Sequence, residues 1–261
     1  MPRIALGLEY DGTDFVGWQI QRTGRSVEGV LAAAVSQVAG EPVKVHGSGR
    51  TDAGVHALHQ VAHFDSAAWR TQRQWQLGIN SNLPADVAVR WVREVSPGFD
   101  ARRSALSRRY RYSILQQGPR PAVARRNVWW VREPLDCGAM TAAAVSWLGE
   151  HDFSSFRAAG CQARSPNRRL VAVRIAQRPH GGGTLVTCEF TANAFLQHMV
   201  RNLVGTLVAI GHGELPAAAA AEILARRDRT QAGVSAPPSG LVLVEVLYAR
   251  EHELPSFPDE A

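Results

Sequence analysis

The stretch Gly47-Ser48-Gly49-Arg50-Thr51-Asp52-Ala53-Gly54-Val55-His56-Ala57 places a guanidinium and a carboxylate two residues apart on a backbone cut by three glycines. Apolar runs at residues 43–46 and about 58–64 flank it and read as strands. Outward on the N-terminal side, residues 3–10 read as a strand and 11–19 as a glycine-studded loop. Ser26 is placed to cap a helix in which Val27, Val30, Leu31, Ala34, Val35 and Val38 follow the 3.6 period, and Gly40 closes it. On the other side, a helix is expected near residues 72–80, ended by Pro84, and a strand at 87–95. The order is β-α-β-β-α-β, the split βαβ pattern. The Arg50/Asp52 segment is its connection between second and third strands.

The second half follows a similar plan. Residues 109–115 read as a strand with Tyr110 and Tyr112 on one face and Arg109 and Arg111 on the other. A helix is expected at 141–149, a hairpin from 170–177 and 185–191, and a last strand at 241–248. Asn193 is expected to cap a helix with Phe195, Met199, Leu203, Leu207 and Ile210 inward, and Pro216 to begin an alanine-rich helix to about Arg226. The expected fold class is therefore α+β. Two pseudo-symmetric split-βαβ-like halves join mainly antiparallel sheets around a central cleft, with helices on the outer face. The expected division is an N-terminal half over residues 1–104, a C-terminal half over 105–250 carrying Tyr110 and Arg201, and a disordered tail over 251–261.

Composition narrows the chemistry. Hydrophobic residues make up 45% and charged residues 20% of 261, which describes a globular protein with a sizeable core. No apolar run approaches the roughly 20 residues of a membrane span. The opening Met-Pro-Arg-Ile-Ala-Leu lacks the features of a signal peptide, so a cytoplasmic location is expected. The cysteines, Cys137, Cys161 and Cys188, share no metal-ligand spacing. The formal net charge is +6, but residues 101–126 hold eight arginines and 153–188 hold six, neither stretch with an acid. The rest of the chain is net acidic. Such concentration marks a polyanion-binding surface. A general preference for arginine over lysine, of which Lys44 is the single example, does not explain why acids avoid these stretches.

Asp52 next to a cation can stay ionised and act as a nucleophile or base. The same run also reads as an ordinary turn. Tyr110 offers a stacking platform for a nucleobase and equally a place in the core. Arg201 is a lone charge on an otherwise apolar helix, which calls for a carboxylate or phosphate, or else for an exposed position. Trp129 and Trp130, beside Arg125 and Arg126, suit either base stacking or packing. His56, His59 and His63 invite a metal reading, but no acid or cysteine completes a first shell, so a structural role is expected and no metal. No phosphate-loop, dinucleotide or hydrolase-elbow motif occurs, and Ser48 with His56 makes no supported dyad.

Taken together, the chain closely resembles the TruA family of tRNA pseudouridine synthases. The resemblance is carried by Tyr10-Asp11-Gly12-Thr13-Asp14-Phe15-Val16-Gly17-Trp18-Gln19, by residues 49–57, 99–112, 193–207 and 232–243, and by His151-Asp152-Phe153-Ser154-Ser155-Phe156. It implies isomerisation of uridine to pseudouridine in the tRNA anticodon stem-loop, at positions 38, 39 and 40. It implies Asp52 as the catalytic aspartate and Tyr110 as the residue that stacks on the target uracil. Arg50 then handles the flipped nucleotide and Arg201 is the basic partner of the aspartate. A homodimer binding the anticodon arm, with no metal or organic cofactor, is expected. The competing readings are a non-catalytic RNA-binding protein and a metal hydrolase built on the histidines.

Overall fold

A computed structural model describes residues 1–255 of the chain, in two compact units. The first comprises Met1–Ser107 and the chain from Val242 onward, the second Arg108–Leu241.

In the first unit the strands are β1 (Arg3–Tyr10), β2 (His46–Gly47), β3 (His56–Asp65) and β4 (Val87–Val95), with helices α1 (Val27–Ala39) and α2 (Gln72–Asn82). β1 runs antiparallel to both β3 and β4, and β2 is antiparallel to β3, the expected split arrangement. β1 lies between two strands and is buried on both faces, with Ala5, Leu6 and Leu8 inaccessible. Its Gly7 is required there, because a Cβ would stand 2.1 Å from the Trp91 indole. The caps that the sequence offers are used. The Ser26 side chain accepts from the Gly29 N–H, and Gly40, in the left-handed region at φ 74°, donates to the Ser36 carbonyl. Thr71 and Gln74 form a reciprocal capping box on α2. Residues 43–46 were expected to be a strand, yet the ladder holds only His46 and Gly47. The Val43 N–H goes instead to the Ser36 hydroxyl at 2.9 Å, while Val43 and Val45 bury their side chains.

The second unit holds β5 (Ala105–Gln116), which begins in the first, β6 (Trp129–Val131), β7 (Gly149–Asp152), β8 (Asn167–His180) and β9 (Gly183–Ala192). Its helices are α3 (Cys137–Val145), α4 (Met199–Gly211) and α5 (Ala219–Arg226). β5–α3–β8–β9–α4 repeats the pattern β1–α1–β2–β3–α2. In each, the third strand is antiparallel to the first and to the strand before it. β6 and β7 are additions without a sequence signal strong enough to find them. The last strand, β10 (Leu241–Tyr248), pairs in parallel with β3 through Val242–His56 and Leu243–Ala57, and from Val242 it groups with the first unit rather than with the C-terminal half.

Three helix starts differ from expectation. α3 begins at Cys137 because the Asp136 side chain accepts from the Ala139 N–H, so the helix is complete four residues before Gly149. Asn193 caps no helix. Its Oδ1 accepts from the Arg169 and Ala194 N–H groups, and α4 starts at Met199 after His198 turns the chain at φ 61°. α5 starts at Ala219, three residues past Pro216. Of the expected tail, Arg250–His252 form a 3-10 turn, with the His252 ring edge-on to Phe99 at 5.1 Å; residues 256–261 lie outside those described. Among the described residues no helix is long and apolar enough to cross a membrane.

Candidate active site

Asp52 is presented by a loop that is held from below by a second loop. From Asp52 to Val55 the chain makes a turn closed by the Val55 N–H on the Asp52 carbonyl at 3.1 Å. Its third residue is Gly54 at φ 76°, a conformation that glycine adopts without a Cβ penalty. The glycine-studded loop at residues 11–19 lies against it. Trp18 N–H donates to the Thr51 carbonyl at 3.0 Å, and Gly54 N–H to the Phe15 carbonyl at 3.3 Å. The approach tolerates no side chain: a Cβ on Gly12 would stand 2.0 Å from the Val55 oxygen. On Gly47 it would stand 2.4 Å from the Trp18 indole.

Side chains complete the frame. The buried Tyr10 hydroxyl bonds the Thr51 hydroxyl at 2.8 Å, and burial pushes its pKa up to about 12. Ser48 donates to Gln60 Oε1 at 2.5 Å, and Gln60 Nε2 donates to the Gly49 carbonyl at 2.9 Å. Gln60 is wholly buried, so these bonds satisfy a polar group that would otherwise cost the fold dearly. Asp52 itself is half-buried and Arg50 is exposed. The turn and the carboxylate are thus one object: the turn is how Asp52 is held.

Tyr110 and Arg201 belong to the second unit. Tyr110 lies on β5 opposite Phe190, is buried, and meets Phe195 edge-on, with ring centroids 5.0 Å apart at 83°. Phe195, expected in the core, is half-exposed beside it. Arg201 stands in the first turn of α4, where its Nε donates to the Ala236 carbonyl at 2.7 Å. Ala236 N–H donates in turn to the Arg201 carbonyl at 3.1 Å. Residues 233–236 therefore form a strap over α4. The strap lies so close that a Cβ on Gly205 would stand 1.8 Å from the Val234 oxygen. Buried Asn202 ties the strap to a third segment, bonding both the Ser235 hydroxyl and the Phe156 carbonyl. Sequence reading missed this device, although glycine at 205 in an otherwise bulky helix is its signal.

Not every arginine of the acid-free stretches is available to a polyanion. Arg111 pairs with Glu189 across the β5–β9 ladder at 2.7 Å, and buried Arg108 donates to the Asn193 carbonyl. Arg102, Arg103, Arg120, Arg125, Arg126, Arg164, Arg169, Arg174 and Arg178 are exposed.

The histidines are engaged in the fold. His59 Nε2 accepts from the Trp91 indole N–H at 3.0 Å and His63 Nδ1 from the Ala101 N–H at 3.1 Å. His56 Nδ1 lies 3.1 Å from both the Gly12 nitrogen and Asp11 Oδ1. Burial holds His59 and His63 below their ordinary pKa, His59 at about 4.

The family model described as tRNA pseudouridine synthase matches residues 8–102 and 143–249. A protein of Coxiella burnetii (strain Dugway 5J108-111) named tRNA pseudouridine synthase A is 48% identical over 258 residues, 99% of this chain and 97% of its own. One of the same name from Nitrosococcus oceani is 50% identical over 253 residues, covering 97% and 96%. A solved structure titled "Crystal Structure of a Cbf5-Nop10-Gar1 Complex" overlaps 79% of this chain and 45% of its own, at 11% identity and TM-score 0.34, too loosely to inform the site. The matched residues include the Asp52 loop, the loop that holds it and the α4 strap. The chain belongs to the tRNA pseudouridine synthase family.

Proposed function

We propose that the protein isomerises uridine to pseudouridine in the anticodon stem-loop of tRNA, at positions 38 to 40, with Asp52 as the essential carboxylate. The observation that carries this is the locked Asp52 loop, whose turn, glycine contacts and Tyr10–Thr51 bond all serve to hold one half-buried carboxylate in place. Family membership supplies the reaction.

The reaction breaks the bond from N1 to C1′, turns the base, and joins C5 to C1′. The C5 proton leaves and N1 gains one, so no redox partner is required. Attack of Asp52 on the sugar carbon, its attack on the base, or its removal of a sugar proton each begins from the ionised carboxylate. Arg201 is assigned as the cation that favours that form. The uracil must first leave its stack, at a cost of a few kcal/mol. Tyr110 is assigned as the ring that recovers part of it, on the order of 1–3 kcal/mol for one stacked base. Arg50 is assigned to the flipped nucleotide, and the exposed arginines position the tRNA through phosphates without reading sequence. A homodimer acting in the cytoplasm completes the proposal.

The test is tritium release from tRNA carrying 5-³H-uridine. Wild type is expected to release label from anticodon stem-loop positions and Asp52→Asn to release none above background, while tRNA affinity stays within a few-fold. Full activity in Asp52→Asn would falsify the assignment. Sedimentation of the purified protein reads the dimer directly.

A further inference from the structure

The second unit contains a cavity of about 570 Å³ that the uridine chemistry does not use. Trp129, Trp130, Arg120, Arg125, Pro121 and Pro237 border it. Its walls are well anchored. Trp129 meets Tyr112 edge-on at 6.2 Å, and the buried Tyr112 hydroxyl donates to the Pro237 carbonyl at 2.7 Å. Gly240 closes on the same tyrosine, where a Cβ would stand 2.6 Å from its ring. The Trp130 indole donates to the Gln117 carbonyl at 2.8 Å, and the Arg132 guanidinium lies 5.7 Å from the Trp130 ring centre. Both tryptophans are half-buried, so packing uses only part of each.

The charges point to an anion. Arg120 and Arg125 stand in the connection between β5 and β6, which carries Arg126 as well and no acid from Gln117 to Asn127. The Arg125 guanidinium donates to the Ala122 carbonyl at 3.0 Å, and among the described residues no carboxylate pairs with Arg120 or Arg125. A lining that combines two tryptophans with two arginines matches a planar base joined to a phosphate. Arginine suits that phosphate through its planar fork of donors. The volume is in the range of cavities that take small ligands, roughly 300–1,000 Å³.

We infer that this cavity is a second nucleotide site, taking a nucleoside phosphate with its base against Trp129 and Trp130 and its phosphate on Arg120 and Arg125. Two sources share that chemistry: a nucleotide of the bound tRNA away from the target uridine, or a free mononucleotide. The tRNA arm rests on the proposed function; the mononucleotide arm does not.

Three measurements on the full chain separate the outcomes. AMP is titrated against tryptophan fluorescence in wild type and in Arg120→Glu/Arg125→Glu. Affinity for an unmodified tRNA transcript is measured in both, and in Arg70→Glu/Arg73→Glu as a reversal of equal charge in the first unit. Ultraviolet cross-linking of the transcript to wild type maps the peptides that touch RNA. A tRNA nucleotide in the cavity predicts cross-links within residues 117–131. It also predicts a loss of affinity of about tenfold or more in the Arg120/Arg125 variant, with less than threefold in the control. AMP quenching that the Arg120/Arg125 variant abolishes, with tRNA affinity unmoved, assigns the site to a free mononucleotide. No AMP response together with equal affinity losses in both variants overturns the inference. A wild type that binds RNA here but releases no tritium sinks the proposed function and leaves this site standing.

Discussion

Gly17 and Thr51 are in direct backbone contact: Gly17 sits at φ 109°, and a Cβ on it would stand 2.6 Å from the Thr51 carbonyl oxygen. Thirty-odd residues of chain, including all of α1, separate the two, yet the position of Asp52 depends on their approach.

Gly17→Ala meets two penalties at once, a left-handed backbone and a collision with an atom that cannot yield. The expected cost is on the order of 1–3 kcal/mol. For a chain of this size that lowers Tm by several degrees. Tritium release should fall further than the Tm alone explains, because the displaced atoms adjoin Asp52. Calorimetry beside the activity assay checks it, and unchanged activity with lowered Tm would separate loop packing from catalysis.

Tyr10→Phe keeps the ring and removes the hydroxyl that bonds Thr51 at 2.8 Å. Thr51 is buried, so its hydroxyl loses a partner that solvent cannot easily replace. A loss of about 1–3 kcal/mol is expected in urea unfolding. The double variant Tyr10→Phe/Thr51→Val should recover part of it, since both polar groups are then gone.

Phe195→Ala removes the ring that meets Tyr110 edge-on. An aromatic pair of this kind contributes about 0.5–1.5 kcal/mol beyond its buried area. The fold should survive with a small drop in Tm, while kcat falls because Tyr110 loses a contact that orients it. Phe195→Tyr should retain activity. Equal rates for Phe195→Ala and wild type would show that Tyr110 needs no such support.

His59 ties stability to pH. Burial, and then the charge of Arg90, holds its pKa at about 4 in the fold against 6.5 as its ordinary value. The unfolded chain therefore takes up the proton first. Stability present above pH 6.5 is lost as pH falls toward 4, by about 3 kcal/mol at most. His63, also lowered by burial, acts in the same direction. His59→Gln keeps an acceptor for the Trp91 indole and removes the titration. Its Tm should vary less between pH 6.5 and 4 than that of wild type, and parallel profiles would count against His59.

Much of this was legible along the chain. Ser26 and Gly40 bound α1 as expected because a cap is a contact between residues three or four apart. The Arg50/Asp52 segment read correctly as a loop between strands because glycine punctuation is also local. Where the reading slipped, a distant or competing partner decided. Val43 turned from the ladder to the Ser36 hydroxyl, Asp136 outbid a later start for α3, and Asn193 spent its side chain on Arg169 instead of a helix.

The α+β alternation, the two acid-free arginine stretches and the setting of the Asp52 carboxylate in a glycine-cut loop are all readable along the chain. Periodicity, composition and turn chemistry are properties of neighbours in the chain. What each outlying residue does follows from the folded arrangement alone. That arrangement puts Gly12 and Gly17 beneath the Asp52 loop, gives His59 to the Trp91 indole, pairs Arg111 with Glu189, and lays residues 233–236 over Arg201. Each of these contacts joins residues about 30 or more positions apart. Their partners are chosen by shape and by the need to satisfy buried polar groups, and neither is written in local sequence.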